Sequence, residues 1–172
     1  MMVLAKAYLQ EPKWLNEGYV ATFDEQWWRE NGVYSAGYLA LLTMSLLGTV
    51  DEGTIGMLEW LNTFPPLLVT SSLIGRFCDD IGSSEFEHKR KHQYGVSWEK
   101  AKEEIKVMAL DLWKTLNQEL VVRPHHLPFP VLMRFLNLSR VIEVFYKKTD
   151  MFTYPELMKD YVVSLFLDNI SV

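Results

Sequence analysis

The chain has 172 residues, enough for one domain with a sizeable core, and 49% apolar with 13% aromatic residues and six Trp exclude a disordered polypeptide. A net charge of −5 and a pI near 5.4 argue against a nucleic-acid surface, and no run of 18 apolar residues is present to span a membrane. The one cysteine, Cys78, cannot close an internal disulfide and the opening MMVLAKAYLQEPKW has neither a secretory nor a transit character, so a reducing, cytoplasmic setting is expected.

Residues 2–18 read as a helix with Leu4, Ala7, Tyr8, Trp14 and Leu15 on its apolar face, Pro12 as an awkward interior residue and Gly18 as its stop. A chain that opens directly on such a helix is expected to be a truncated product. Thr22, with Glu25 three residues on, caps a second helix that runs to about Leu47 and stops at Gly48. Its small residues, Asn31-Gly32 and Ser35-Ala36-Gly37, permit a break or a close approach by another group. Pattern alone favours plain helix packing there.

Residues 54–62 form a short helix, and Phe64-Pro65-Pro66 turns the chain into the next one, where proline is acceptable in the first turn. That helix carries Leu67, Leu68, Val69, Leu73, Ile74, Phe77 and Cys78 before its character changes at Asp79-Asp80, and it runs to Ser83 or beyond, ahead of the polar stretch EHKRKHQYG. Ser97 caps a long amphipathic helix from Trp98 to about Leu120, with Trp98, Ala101, Ile105, Met108, Leu112 and Leu116 at spacings of three and four. Three prolines between Pro124 and Pro130 mark a loop; its adjacent His125 and His126 lack a third ligand and carry no metal reading. Residues 131–146 are apolar almost all round, as expected of a helix buried within a bundle, and 147–152 form a loop. Thr153, with Glu156 as its capping-box partner, opens a last helix. Strand signals are weak throughout, and the fold is expected to be all-α.

One constellation carries chemistry. Asp79, Ser83 and Glu87 follow at intervals of four, so on a helix their side chains stay within about 80° of arc. Spacing alone leaves a solvated acidic face and a cation site both open. The apolar segment leading into it places Arg76 and Asp79 at depth, where charges must be paired or bound. Hard cations such as Mg²⁺ take such oxygen donors, usually with water and substrate phosphate, and Arg76 lies three residues ahead on roughly the same face to hold the anion. The dispersed glycines form no phosphate loop, and no HExxH or CxxC is present.

The segment DDIGSSEFE, Asp79 to Glu87, resembles the second metal-binding motif of class I terpene synthases, (N/D)D-x-x-(S/T)-x-x-x-E. Arg76-Phe77-Cys78 before it is similar to the family's Arg-x-x-Asp-Asp run. Trp60-Leu61 with Phe64-Pro65, AYLQEPKWLNEGY, and the closing stretch from RPHHLPFPVL to YVVSLFLDNI resemble plant sesquiterpene synthases in particular. The resemblance covers essentially the whole chain and implies the carboxy-terminal part of the metal-binding α-domain, residues 1–172, a partial class I terpenoid synthase bundle.

It further implies that Asp79, Ser83 and Glu87 chelate one of three Mg²⁺ ions, with Mn²⁺ as an alternative, and that Asp80 supports them. Arg76 would bind the diphosphate of the substrate, a prenyl diphosphate and most specifically farnesyl diphosphate. Ser35, Ala36, Gly37 and Tyr38 would form a helix break lining the hydrocarbon pocket, which replaces the plain-packing reading. Asp150 and Phe152 would match an Asp-x-aromatic near the closing loop, with Phe145 at an aromatic pocket position. The implied reaction ionises farnesyl diphosphate and cyclises the carbocation to a sesquiterpene.

Two departures are visible. The only adjacent aspartates are Asp79-Asp80, so the helix with the family's first aspartate-rich motif is not among these residues, and the segment between Glu87 and Gly95 is shorter than the family pattern. Arg90 and Lys91 in it still supply positive charge. The isolated chain is therefore expected to bind metal weakly, to cyclise nothing, and to self-associate through exposed apolar faces. The competing reading is a non-catalytic helical interaction module or a decayed synthase copy.

Overall fold

The computed structural model describes residues 2–19, 26–46, 52–88, 98–122, 127–147 and 149–168. Within them the chain runs α1 (Met2–Asn16), α2 (Gln26–Ser35), α3 (Tyr38–Leu46), α4 (Glu52–Asn62), α5 (Pro66–His88), α6 (Trp98–Val122), α7 (Phe129–Phe145), a 3-10 turn (Pro155–Met158) and α8 (Lys159–Phe166). The fold is all-α, with no strand among the described residues, and none of their helices is long and apolar enough to cross a membrane.

α5 is the axis of the arrangement. Its 23 residues span about 34 Å at 1.5 Å per residue, and it packs against α2, α3, α6 and α7. Leu67, Leu68 and Ile74 of α5 meet Tyr38, Leu42 and Leu46 of α3, Leu61 of α4, Leu116 of α6 and Leu132 and Phe135 of α7 in one buried cluster. Trp60 presents its ring to Phe135 edge-on, with centroids 5.9 Å apart. Of the serines buried in α5, Ser71 Oγ donates to the Leu68 carbonyl at 3.1 Å, whereas Ser72 Oγ has no hydrogen-bond partner among the described residues.

α1 continues through Pro12 and closes at Gly18, whose φ of +66° is the left-handed stop expected of glycine. The helix expected over 22–47 is two helices: α2 ends at Ser35, Gly37 takes a φ of +75°, and the Leu41 amide donates to the Gly37 carbonyl to start α3. The caps expected at Thr22 and Ser97, the stop at Gly48, and the residues Arg90, Lys91, His125 and His126 lie outside the described residues. Phe64 takes a φ of +53°, an uncommon conformation for an aromatic residue, where the α4–α5 turn meets Pro65; its ring packs edge-on against Tyr34 at 4.9 Å.

Three expectations are corrected. The proline loop ends earlier than its composition suggests, because Pro130 sits in the first turn of α7, where no amide is required, and the helix begins at Phe129. α7 is two-faced rather than buried all round: Val131, Leu132, Phe135, Leu136 and Ser139 are buried, whereas Asn137, Arg140, Val141 and Glu143 are exposed. Thr153 caps nothing; the last helix begins as a 3-10 turn behind Tyr154 without a side-chain cap, and the Thr153 hydroxyl donates back to Asp150.

Candidate metal centre

The carboxyl half of α5 carries Arg76, Asp79, Asp80 and Ser83, all half-buried at the edge of the core. The Arg76 guanidinium is held at two points. Its Nε lies 3.0 Å from Asp80 Oδ1, one turn on, and its Nη1 donates to Glu11 Oε1 of α1 at 2.9 Å. Burial works against the Arg76 charge, but the carboxylates of Asp80, Glu11 and Asp79 more than offset it and hold the guanidinium above its usual value.

Asp79 is in the opposite situation. Burial raises its pKa, and the repulsion of Asp150 and Glu11 adds to that; a hydrogen bond from the Tyr146 hydroxyl and the attraction of Arg76 counteract it only in part. Tyr146 is itself pushed up, first by burial and then by Asp79. Its ring reaches α5 because residue 82 is glycine: a Cβ there would lie 2.6 Å from Tyr146 Cδ1. Gly75 plays the same part for Tyr38, whose Oη would stand 2.6 Å from a Cβ at 75. The Tyr38 hydroxyl is buried and has no hydrogen-bond partner among the described residues.

The helix break therefore delivers an aromatic side chain onto α5. Ser35 is buried and donates to the Gly32 carbonyl at 3.5 Å, Ala36 and Gly37 are half-buried, and Tyr38 is 2% exposed within the core cluster. Asp150, 8% exposed, is occupied within its own loop: Oδ1 accepts from the Phe152 amide at 2.8 Å and from the Thr153 amide at 3.3 Å. Phe152 is exposed and stacks on Phe145 with centroids 4.7 Å apart and planes 16° apart. The Tyr146 ring lies 5.8 Å from the same Phe152. Thus Arg76, Asp79 and Asp80 meet on one helix, the Asp150 carboxylate bears electrostatically on Asp79, and Phe145 and Phe152 form a pair beside Tyr146.

Glu87 lies in the last turns of α5, but its side chain is outside the described residues. Among the described residues no three His, Cys, Asp or Glu side chains gather as a complete metal site. The donors that are described suit a hard divalent cation nonetheless. Asp79 and the Ser83 hydroxyl offer oxygen donors one helical turn apart, and a carboxylate disfavoured by burial and by two neighbouring carboxylates would gain from a cation beside it. On the other side of the same turn, Cys78, Ile81, Arg140, Glu143, Val144, Tyr146 and Lys147 line an open cleft of about 360 Å³. Burial and the negative charges of Glu143 and Asp79 push the Cys78 thiol up to about 12, which leaves it without the thiolate a nucleophile needs.

Sequence reasoning missed Glu11, Tyr146, Gly75 and Gly82. The signal for Glu11 was an acidic residue four positions after the buried Ala7, on the same face of α1. For the glycines it was their isolation inside a helical pattern, which signals a close approach.

A profile described as the terpene synthase family, metal binding domain, matches residues 1–115. The chain is 48% identical to an alpha-humulene/(-)-(E)-beta-caryophyllene synthase of Arabidopsis thaliana over 178 residues, covering 98% of this chain and 32% of that protein. It is 38% identical to a probable sesquiterpene synthase of Santalum austrocaledonicum (98% and 31% covered) and 37% identical to a germacrene B synthase of Cannabis sativa (99% and 31% covered). The chain thus spans about a third of the length of these relatives. The aligned spans of 178 and 179 residues exceed the 172 of this chain, so the relatives carry residues within the matched region that it lacks.

Proposed function

Because this chain belongs to the terpene synthase family, in its metal binding domain, we propose that it is the carboxy-terminal part of the α-domain of a sesquiterpene synthase and supplies one of that site's two metal-binding faces. The observation that carries the reading is the α5 turn on which Arg76, paired with two carboxylates, stands beside a half-buried, disfavoured Asp79. In this reading Asp79, Ser83 and Glu87 hold Mg²⁺, or Mn²⁺ in its place, and the substrate is farnesyl diphosphate. The sesquiterpene synthases among the relatives support that chain length. A cytoplasmic location accords with the same reading.

A bound divalent cation would act as a Lewis acid on the diphosphate oxygens and ease cleavage of the allylic C–O bond. The rest falls to side chains. Arg76 offers N–H donors and a permanent charge to the departing diphosphate, in a half-buried setting where that charge is felt more strongly than in water. Asp80, one turn on, pairs with the Arg76 charge and keeps it over α5. In this reading the Ser35–Gly37 break and Phe145 belong to the apolar wall that keeps a carbocation from water, and Tyr38, buried against Gly75, backs that wall. The Asp150 loop lays Phe152 on Phe145.

The 172 residues hold a single adjacent aspartate pair, so the opposing aspartate-rich face has to come from elsewhere. The chain alone is accordingly predicted to bind farnesyl diphosphate only with Mg²⁺ present and to release no cyclic product. Incubation with both, followed by gas chromatography of the extract and an equilibrium binding assay, tests this. Terpene products above background overturn the incompleteness, and metal-independent binding overturns the site.

A further inference from the structure

Arg76 owes its orientation to a helix that the metal-binding motif does not include. A guanidinium is a rigid planar fork with five N–H donors. Asp80 Oδ1 lies 3.0 Å from Nε as an ion pair, yet that N–H has no hydrogen-bond partner among the described residues, so the hydrogen bond that sets the plane is the one Nη1 donates to Glu11. Among the described residues no partner holds Nη2, which leaves that edge of the fork for an anion. Glu11 is in turn held in place: Asn31 Nδ2 of α2 lies 3.4 Å from the same Oε1 and 3.5 Å from the Ala7 carbonyl of α1. The Arg76 stem crosses α2 at Gly32, where a Cβ would stand 3.3 Å from Arg76 Cγ. Three helices therefore converge on one cation, through a glutamate 65 residues away in sequence.

We propose that Glu11 is a positioning residue for diphosphate recognition, aligning the Arg76 fork so that its free edge meets the anion; this rests on the reading of Arg76 as the diphosphate-binding group. A pair that merely ties α1 to α5 would affect stability and leave anion binding unchanged. A carboxylate that merely competed for Arg76 would weaken anion binding, and its removal would strengthen it.

The test is calorimetric titration of the 172-residue chain with inorganic diphosphate in saturating Mg²⁺, with Mg²⁺ alone as a parallel titration and thermal unfolding as a check on folding. Glu11→Met, close in size but without an acceptor, is expected to weaken diphosphate binding by about tenfold, the loss typical of removing a group that orients a ligand-binding residue. Glu11→Gln keeps an acceptor oxygen and is expected to stay close to wild type; both variants remove the same carboxylate charge near Asp79, so Mg²⁺ binding alone is expected to shift equally in the two. Should Glu11→Met not fold, Asn31→Ala, which leaves Glu11 and Arg76 intact but unties Glu11, is expected to weaken binding in the same direction. If wild type binds and Arg76→Ala does not, yet Glu11→Met binds as tightly as wild type or tighter, or Glu11→Gln loses as much as Glu11→Met, the positioning role is overturned. If wild type does not bind diphosphate, or Arg76→Ala binds as well as wild type, the reading of Arg76 falls and this inference with it.

Discussion

Cys78 sits one residue before Asp79, and its thiol, pushed up to about 12 by burial and by Glu143 and Asp79, makes a residue-level prediction. The unfolded chain ionises this thiol near the ordinary value of 9.0 while the folded chain does not. Its contribution is therefore neutral below that pH, and stability falls as pH rises from there through the folded value. Alkylation of the folded chain at a pH of about 8.5 should be slower than that of the denatured chain by at least about tenfold, as the thiolate fraction dictates; equal rates would contradict the burial. That Arg76, Asp79 and Ser83 share one stretch of helix was legible in the sequence because helical periodicity makes spacings of four and three informative. Glu11 and Tyr146 were not, since periodicity says which face a residue occupies and nothing about which helix that face will meet. The same limit hid Gly75, whose purpose appears only once Tyr38 is seen against it. Gly75→Ala is expected to cost about 1–3 kcal/mol by overpacking against that ring, measured by denaturant unfolding.

At the scale of elements, the break between α2 and α3 depends on one backbone conformation. Gly37 has a φ of +75°, so Gly37→Ala should destabilise by about 1–2 kcal/mol, the cost of a left-handed residue with a side chain. Gly56 is an interior position of α4 with open space where a Cβ would stand and no positive φ, so Gly56→Ala should stabilise by about 0.5–1 kcal/mol. Similar effects of the two substitutions in chemical denaturation would contradict the assignment of the break. The small residues at 35–37 favoured plain packing by pattern alone, and the break came only from the family resemblance, since packing and a break both use small side chains. Pattern misjudged α7 for a related reason. A nearly all-apolar helix looks buried on every side, and only the packing partners show that α7 lays one face on α5 and leaves Val141 41% exposed.

For the whole molecule, α5 carries both the candidate site and residues at the centre of the buried core. Phe135, 1% exposed and packed on Trp60, joins α7 to α4 across α5, and Phe135→Ala should cost about 3–5 kcal/mol. Beyond that core, α8 and the residue after it expose Leu165, Phe166 and Leu167 at 75%, 78% and 74%, and the chain spans about a third of the relatives it matches. Apolar surface on that scale favours association, so sedimentation velocity should show species larger than a monomer that grow with concentration; a monodisperse monomer at every concentration would contradict it. The all-α class was readable from the repeated three-and-four spacings, whereas the arrangement around α5 was not, because many helix orders satisfy the same amphipathic faces.

The carboxyl half of α5 is expected to bind a divalent cation and a diphosphate together. That expectation is tested most directly by titrating diphosphate into wild type and Asp79→Ala, each with and without Mg²⁺. Wild type should bind diphosphate with Mg²⁺ and lose that binding without it, and Asp79→Ala should bind more weakly by about tenfold or more, equivalent to about 1.4 kcal/mol or more, while its unfolding midpoint shows that it still folds. Equal affinity with and without the cation, or an Asp79→Ala chain that binds as wild type does, would contradict the account.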